Sequence, residues 1–168
     1  VNLDAPCPEG LDMKSFVSWK EITTGCSTIA DQICKNNIHI NSIVGLSRGG
    51  LVPATILAHM LNIREVMVHG YHSYDEEAKC RDPKNSHGVM YQDVMYDLMK
   101  GLPGRNILIV DDLCDEGVTM KGLVKRMYKK FHKGVVNIST AALFCKERSI
   151  FTPDYIGSRC DNRWLVFP

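Results

Sequence analysis

No charge of either sign dominates this sequence. Its 168 residues carry 20 Lys and Arg against 19 Asp and Glu, a formal net charge of +1, so no global field selects nucleic acid or a membrane surface as partner. Any charge that matters is local. The seven cysteines, at positions 7, 26, 34, 80, 114, 145 and 160, form no C-x-x-C pair, and several fall inside apolar runs where a thiol packs like a small hydrophobe. They read as reduced, which places the protein in the cytoplasm. His59, His69, His72, His87 and His132 show no metal-ligand spacing with cysteine and read as structural. No apolar run approaches membrane-spanning length, and the amino-terminal VNLDAPCPEG lacks the basic start and apolar middle of a signal peptide, so a soluble protein is expected. Internal repeats and low-complexity segments are absent too.

What is present is enough apolar material, 45% of the residues, for one domain with a substantial core. Residues 1–13 read as an irregular Pro- and Gly-containing lead-in, and residues 14–168 as that single domain. Ser18-Trp19-Lys20-Glu21 has the form of a capping box, followed at helical spacing by Ile22, Cys26, Ile29, Ala30 and Ile33; this predicts a helix ending near Asn36-Asn37. Ile38–Leu46 is a short β-branched run broken by Ser-Arg-Gly-Gly, hence a buried strand entering a turn. A helix from Leu51 tolerates Pro53 in its first turn, and Arg64–Tyr71 is a second strand candidate. From His72 to Arg105 the pattern decays apart from a weak helical piece at Gln92–Met99, and loops of that length are functional or mobile. A strand follows at Asn106–Val110, then one helical face of Met120, Leu123, Val124, Met127, Tyr128 and Phe131 closed by Gly134, then a strand at Val135–Phe144. The tail from Thr152 to Pro168 reads as short irregular or β structure. Strands alternating with helices predict an α/β fold with a mostly parallel twisted central sheet and helices on both sides.

Chemistry concentrates in ILIVDDLCDEGVT, where four aliphatic residues run into Asp111, Asp112, Asp115 and Glu116. A single terminal Asp would be a helix cap, but three aspartates within five positions repel one another unless a cation or a polyhydroxylated ligand joins them. The D-D-x-x-D pattern resembles a diphosphate-binding motif of terpene-type synthases, which belongs on a helix; here it follows a strand, so the context is wrong. In an open parallel sheet, ligands bind at the carboxyl ends of strands, and the next loop and first helical turn form an anion site. Asp115-Glu116-Gly117-Val118-Thr119 supplies such a turn, with Gly117 allowing close backbone approach and Thr119 offering a hydroxyl. Acids beside a phosphate cradle suggest a sugar phosphate, with Asp111 and Asp112 on the ribose hydroxyls, directly or through a metal.

ILIVDDLCDEGVT resembles the phosphoribosyl-diphosphate motif of type I phosphoribosyltransferases, and IVGLSRGGLVPATILA, residues 43 to 58, resembles the pyrophosphate loop of the bacterial xanthine-guanine members of that family. FVSWKEI, SYD at 73 to 75, Lys146 and Trp164 fall in the same order, so the resemblance covers about residues 14 to 168. It implies that family's fold with a small hood made from the chain ends. The implied activity is transfer of a 5-phosphoribosyl group from phosphoribosyl diphosphate to guanine, xanthine or hypoxanthine, releasing pyrophosphate. It further implies Mg²⁺ as cofactor and a homo-oligomer, dimer or tetramer.

By the same resemblance, Ser47, Arg48, Gly49 and Gly50 bind pyrophosphate, and residues 111, 112 and 115–119 bind the ribose and its phosphate. Mg²⁺ is shared indirectly by Asp111 and Asp112. Asp115 is the general base for the purine N7 proton, Lys146 the donor to the 6-oxo group, Trp164 the ring that stacks on the purine, and Leu165 the main-chain partner of its 2-substituent. Two departures bear on affinity and base choice: Glu116 stands where the family carries a hydroxyl, and the family pattern continues beyond the position of Pro168. A non-catalytic sensor of phosphoribosyl diphosphate or a nucleotide on the same fold is the second reading, which Glu116 favours and the full base-binding set disfavours.

Overall fold

The computed structural model describes residues 14–70, 104–130 and 136–168. The lead-in, Tyr71, the Gln92–Met99 piece, Phe131, Gly134 and Val135 lie outside the described residues. In chain order the elements are β1 (Lys14–Phe16), α1 (Trp19–Lys35), β2 (Ser42–Ser47), α2 (Leu51–Met60), β3 (Glu65–Gly70), β4 (Arg105–Cys114), α3 (Val118–Lys130), β5 (Val136–Lys146), β6 (Tyr155–Cys160) and β7 (Trp164–Val166).

Among the described residues one sheet runs β3-β2-β4-β5-β6, every neighbour parallel. A separate parallel pair, β1 with β7, joins the two ends of the described chain through Lys14↔Trp164, Ser15↔Leu165 and Phe16↔Val166. This pair is the hood. The central strands are apolar on both faces because both faces are covered. On one side Leu108 and Val110 of β4 pack with Ile22, Cys26, Ile29 and Ile33 of α1 and with Ala54 and Leu57 of α2. On the other, Ile107 and Ile109 meet Met120, Leu123 and Met127 of α3.

Local chemistry sets the ends of the elements. Ser18 and Glu21 form the complete capping box at the start of α1, satisfying two N–H groups that a helix start would leave orphaned. Gly25 lets α1 settle on the sheet: a Cβ there would fall 2.6 Å from Leu143 Cδ1, and one on Gly157 would fall 2.6 Å from Leu143 O and 3.0 Å from the Gly25 Cα. Gln32 closes part of the outer edge of β6, donating to Ile156 O at 2.9 Å and accepting from Ile156 N–H at 3.4 Å. Asp154 accepts from both the N–H and the hydroxyl of Thr140 at 2.8 Å, tying the entry of β6 to β5.

Three boundaries differ from the sequence reading. The strand expected from Ile38 begins at Ser42; just before it, the Asn41 N–H donates to Asn106 O at 2.9 Å, while the Asn106 N–H is taken at 2.9 Å by the Asn41 side-chain Oδ1. The strand expected to stop at Val110 continues through both aspartates to Cys114, since β5 runs alongside it in register, Asp111↔Ala142 and Cys114↔Cys145. Likewise β5 extends to Lys146 rather than Phe144, making Lys146 a strand residue. Tyr128, expected in the core with Met120 and Met127, is exposed; it stands at the flank of the α3 stripe rather than its centre.

His69 is fully buried at the end of β3, with neither ring nitrogen hydrogen-bonded among the described residues. Burial, and secondarily the Arg126 guanidinium, pushes it down to about 4 from an ordinary 6.5. It is therefore neutral in the fold and readily protonated in the unfolded chain. The unfolded state binds the extra proton below about 6.5, so His69's contribution is complete above that pH and lost as pH falls towards 4, by on the order of 3 kcal/mol. Urea midpoints of the wild type should fall between pH 7 and pH 5 by more than those of His69→Phe.

Candidate active site

Residues 47–50, 111–119 and 146, expected from the sequence to be functional, collect at the carboxyl ends of β2, β4 and β5, where an open parallel sheet offers its ligand crevice. Ser47 is the last residue of β2, the Ser47–Arg48 peptide bond is cis, and Gly50 is the N-cap of α2. The turn lies flat on the neighbouring strand. A Cβ on Gly50 would come within 2.5 Å of Val110 O and 2.7 Å of Leu46 O, and one on Gly49 would collide with the Asp112 carboxylate. Ser-Arg-Gly-Gly thus has its glycines where any side chain would part the two strands. Arg48 and Gly49 are exposed.

Asp111 and Asp112 emerge from β4 side by side, the Asp112 N–H donating to Asp111 Oδ1 at 3.0 Å. Burial raises Asp111 well above the usual carboxylate range, and the Asp112 charge adds to the shift. Two carboxyls in this state gain from a cation or from hydroxyl donors, the requirement inferred from their spacing.

Asp115 through Thr119 form the turn into α3. Gly117 has φ +78°, and a Cβ there would meet Ser149 Oγ at 2.5 Å and Phe151 N at 2.8 Å, so glycine is needed both for conformation and for room. Glu116 and Val118 are exposed, and Thr119 is half-buried. The Glu116 carbonyl accepts the Ile150 N–H at 3.0 Å, so the turn is held from behind by the segment after β5. Arg148, in that same segment, pairs with Asp115.

Lys146 decides the chemistry of the site. It is only 1% exposed, and its Nζ lies 3.2 Å from Asp115 Oδ1 as an ion pair, without hydrogen-bond geometry to any acceptor among the described residues. A surface lysine lying along apolar groups would keep its head in water; this one has its ammonium enclosed. The Asp115 carboxylate also accepts from Arg148 through Nε, at 2.7 Å, and through a terminal guanidinium nitrogen. The structure therefore brings Asp115 to Lys146 and Asp112 to Gly49. Trp164 and Leu165 sit in β7, both half-buried, with Leu165 against the core on the α1 side. Arg148 is the site residue that the sequence reading missed as such: a charged residue two places beyond a strand has no pattern of its own.

The family model of the phosphoribosyl transferase domain matches residues 13–167. The chain belongs to the phosphoribosyl transferase family. Within it, the chain is 32% identical over 155 residues to a xanthine-guanine phosphoribosyltransferase of Idiomarina loihiensis, covering 91% of this chain and 84% of that one. It is 31% identical over 159 residues to the protein of that name from a Ruegeria species, covering 90% and 82%. Among solved structures, a purine phosphoribosyltransferase from Pyrococcus horikoshii superposes with a TM-score of 0.68 at 26% identity over 92% of both chains. The fold class and family read from the sequence both stand.

The ion pair makes the two partners unequal in stability. Asp115→Ala leaves the enclosed Lys146 ammonium uncompensated and should cost about 3–5 kcal/mol, whereas Lys146→Met puts an apolar chain of similar shape in the same space while Asp115 keeps Arg148, and should cost less than about 1 kcal/mol. Urea unfolding of the two variants checks the asymmetry.

Proposed function

We propose that the protein transfers the 5-phosphoribosyl group of phosphoribosyl diphosphate to a 6-oxopurine, releasing pyrophosphate. The observation that carries this reading is the enclosed Lys146 ammonium, a charged donor with no hydrogen-bond acceptor among the described residues, next to the Asp115 carboxylate. A donor and an acceptor set side by side suit a ring that presents a carbonyl oxygen beside an N–H, as a 6-oxopurine does with O6 and N7. Adenine presents an amino group at the same place and would leave two donors facing each other, a mismatch that a buried polar site rejects strongly. The names of the Idiomarina and Ruegeria relatives support the same substrate class.

In this reading Asp115 accepts the N7 proton, and Lys146 fixes O6 and withdraws charge from the ring. Trp164 stacks on the purine, and the Leu165 main chain meets its 2-substituent. Arg48 forks onto the pyrophosphate, with the main chain at Ser47, Gly49 and Gly50 close beneath it. The turn 115–119 holds the 5′-phosphate at the start of α3, and Asp111 and Asp112 bind the ribose hydroxyls. Fit to Mg²⁺ is supported by the raised Asp111 carboxyl. No group of three His, Cys, Asp or Glu residues able to hold a metal occurs among the described residues, which suits an ion that takes one or two carboxylates and otherwise substrate oxygens. Bound there, Mg²⁺ would neutralise the departing diphosphate.

Glu116 loses its weight for the sensor reading. Its side chain is exposed and its carbonyl is engaged behind the turn, so the cradle keeps its backbone. The five described free thiols, at Cys26, Cys34, Cys114, Cys145 and Cys160, fit a reducing cytoplasm, and among the described residues no helix is long and apolar enough to cross a membrane. A homo-oligomer is supported by exposed Val52, Met60, Val66 and Val68 on α2 and β3.

Incubation with phosphoribosyl diphosphate, Mg²⁺ and guanine, xanthine, hypoxanthine, adenine or uracil should release pyrophosphate with one or more of the first three alone. Release with none of the five, or with adenine or uracil, would overturn the proposal. Asp115→Asn should lower kcat by roughly a hundredfold or more, the scale of a lost general base, with phosphoribosyl diphosphate affinity kept.

A further inference from the structure

Arg148 has no part in the reading above, yet it makes closer polar contacts with Asp115 than Lys146 does. Its Nε donates to Asp115 Oδ1 at 2.7 Å, and a terminal guanidinium nitrogen donates to the same oxygen. The Arg148 side chain is one-third exposed, 34% against 14% for Asp115. The segment that carries Arg148 is pinned at several points. The Glu147 N–H donates to Cys160 O at 3.2 Å, the Ser149 N–H to Lys146 O at 3.1 Å and the Ile150 N–H to Glu116 O at 3.0 Å. Ser149 and Phe151 fill the space beside Gly117 that a side chain would need. The backbone under Arg148 is therefore fixed to both neighbours of the reaction centre, the strand end that carries Lys146 and the turn that cradles the phosphate.

We infer that Arg148 is a positioning residue for Asp115, holding the proton acceptor in register with the phosphate cradle. The inference rests on the phosphoribosyl-transfer reading. Lys146 alone attracts Asp115 from one direction, towards the enclosed end of β5. Arg148 grips the same Oδ1 with two N–H groups, from a backbone pinned beside the turn, and so gives that oxygen a second anchor where Lys146 alone would supply one. A carboxylate free to swing about Lys146 would meet the base N–H at poor angles, and misplacement by about 1 Å can cost on the order of a hundredfold in rate. Because the fork is anchored through residues 149–151 to Glu116 and Gly117, occupation of the cradle and placement of Asp115 are mechanically joined.

The test compares wild type, Arg148→Ala and Arg148→Lys in the forward reaction with the preferred 6-oxopurine and in the reverse reaction from the nucleoside monophosphate and pyrophosphate. Arg148→Ala should lower kcat about ten- to hundredfold in both directions, leave KM for phosphoribosyl diphosphate within about threefold, and recover part of the loss when guanidinium is added. Arg148→Lys should regain part of kcat, since it keeps the charge but not the fork. Direct titration of each variant with phosphoribosyl diphosphate separates placement from folding, since a collapsed site would not bind it. An unchanged kcat in Arg148→Ala, or a loss confined to KM for phosphoribosyl diphosphate, would overturn the inference and leave the transferase reading intact. A wild type inactive with every base would overturn both.

Discussion

A lysine whose ammonium is enclosed, with a carboxylate oxygen at 3.2 Å as counter-charge, constrains the surrounding architecture more than any other contact. Such a group stays charged only if its partner is held in place, because desolvation of an isolated ammonium costs several kcal/mol. Lys146 ends β5, and Asp115 follows directly on β4. The two strands must therefore run in register past the hydrophobic core as far as Cys114 and Cys145. This extension also carries Asp111 and Asp112 out of the core on strand backbone instead of on a flexible loop. Their spacing to Gly49 is consequently set by sheet geometry.

The two ends of the sheet are finished by different chemistry. At the amino ends, Asn41, Asn106 and Asn137 bond to one another and to neighbouring main chain, with Asn137 Nδ2 2.9 Å from Asn106 Oδ1, and Arg105 pairs with Glu65. The asparagines and the Arg105–Glu65 pair are matched within the protein there, whereas the buried Ser42 hydroxyl has no hydrogen-bond partner among the described residues. At the carboxyl ends two acids lie together, one with its ionisation opposed, and a buried ammonium has no hydrogen-bond acceptor among the described residues. The acid pair and the ammonium share that end of the sheet with the glycine turns.

The parts legible in the sequence were those governed by periodicity or by a demand that a single residue type meets. The i, i+3, i+4 recurrence of Ile22, Cys26, Ile29 and Ile33 gave α1 because one buried face is enough to define a helix, and the Ser18 and Glu21 box fixed its start. Gly49, Gly50 and Gly117 were legible as close-approach positions, although which atoms they approach was not. The ends of β4 and β5 were hidden, since polar residues at a strand terminus look like a loop when the register of the neighbouring strand is unknown. Lys146 was equally opaque as a buried residue: only the fold decides whether a lysine after an apolar run turns into solvent or into the protein. Arg148 depended on a contact across 33 residues of sequence separation, for which no local pattern exists.

The floor beneath the ion pair shows how the site keeps its electrostatics simple. Cys114 and Cys145, each the chain neighbour of one member of the pair, face one another in register and cluster with Ala142, Phe151 and Ile156. Burial pushes the Cys114 thiol up to about 11, so it stays neutral and supplies bulk without charge. A carboxylate or an amine at that depth would compete for Asp115 or Lys146, and a larger apolar chain would displace the Ser149 hydroxyl, 3.3 Å from Cys114 Sγ. Ser149 and Phe151 occupy the space beside Gly117, so the thiol is small enough to let the segment bearing Arg148 close on the turn at residues 115–119. A neutral, low-dielectric floor also strengthens the attraction above it. The same apolar packing that made these cysteines look like core residues in the sequence is what allows a lone carboxylate to organise two cations over it.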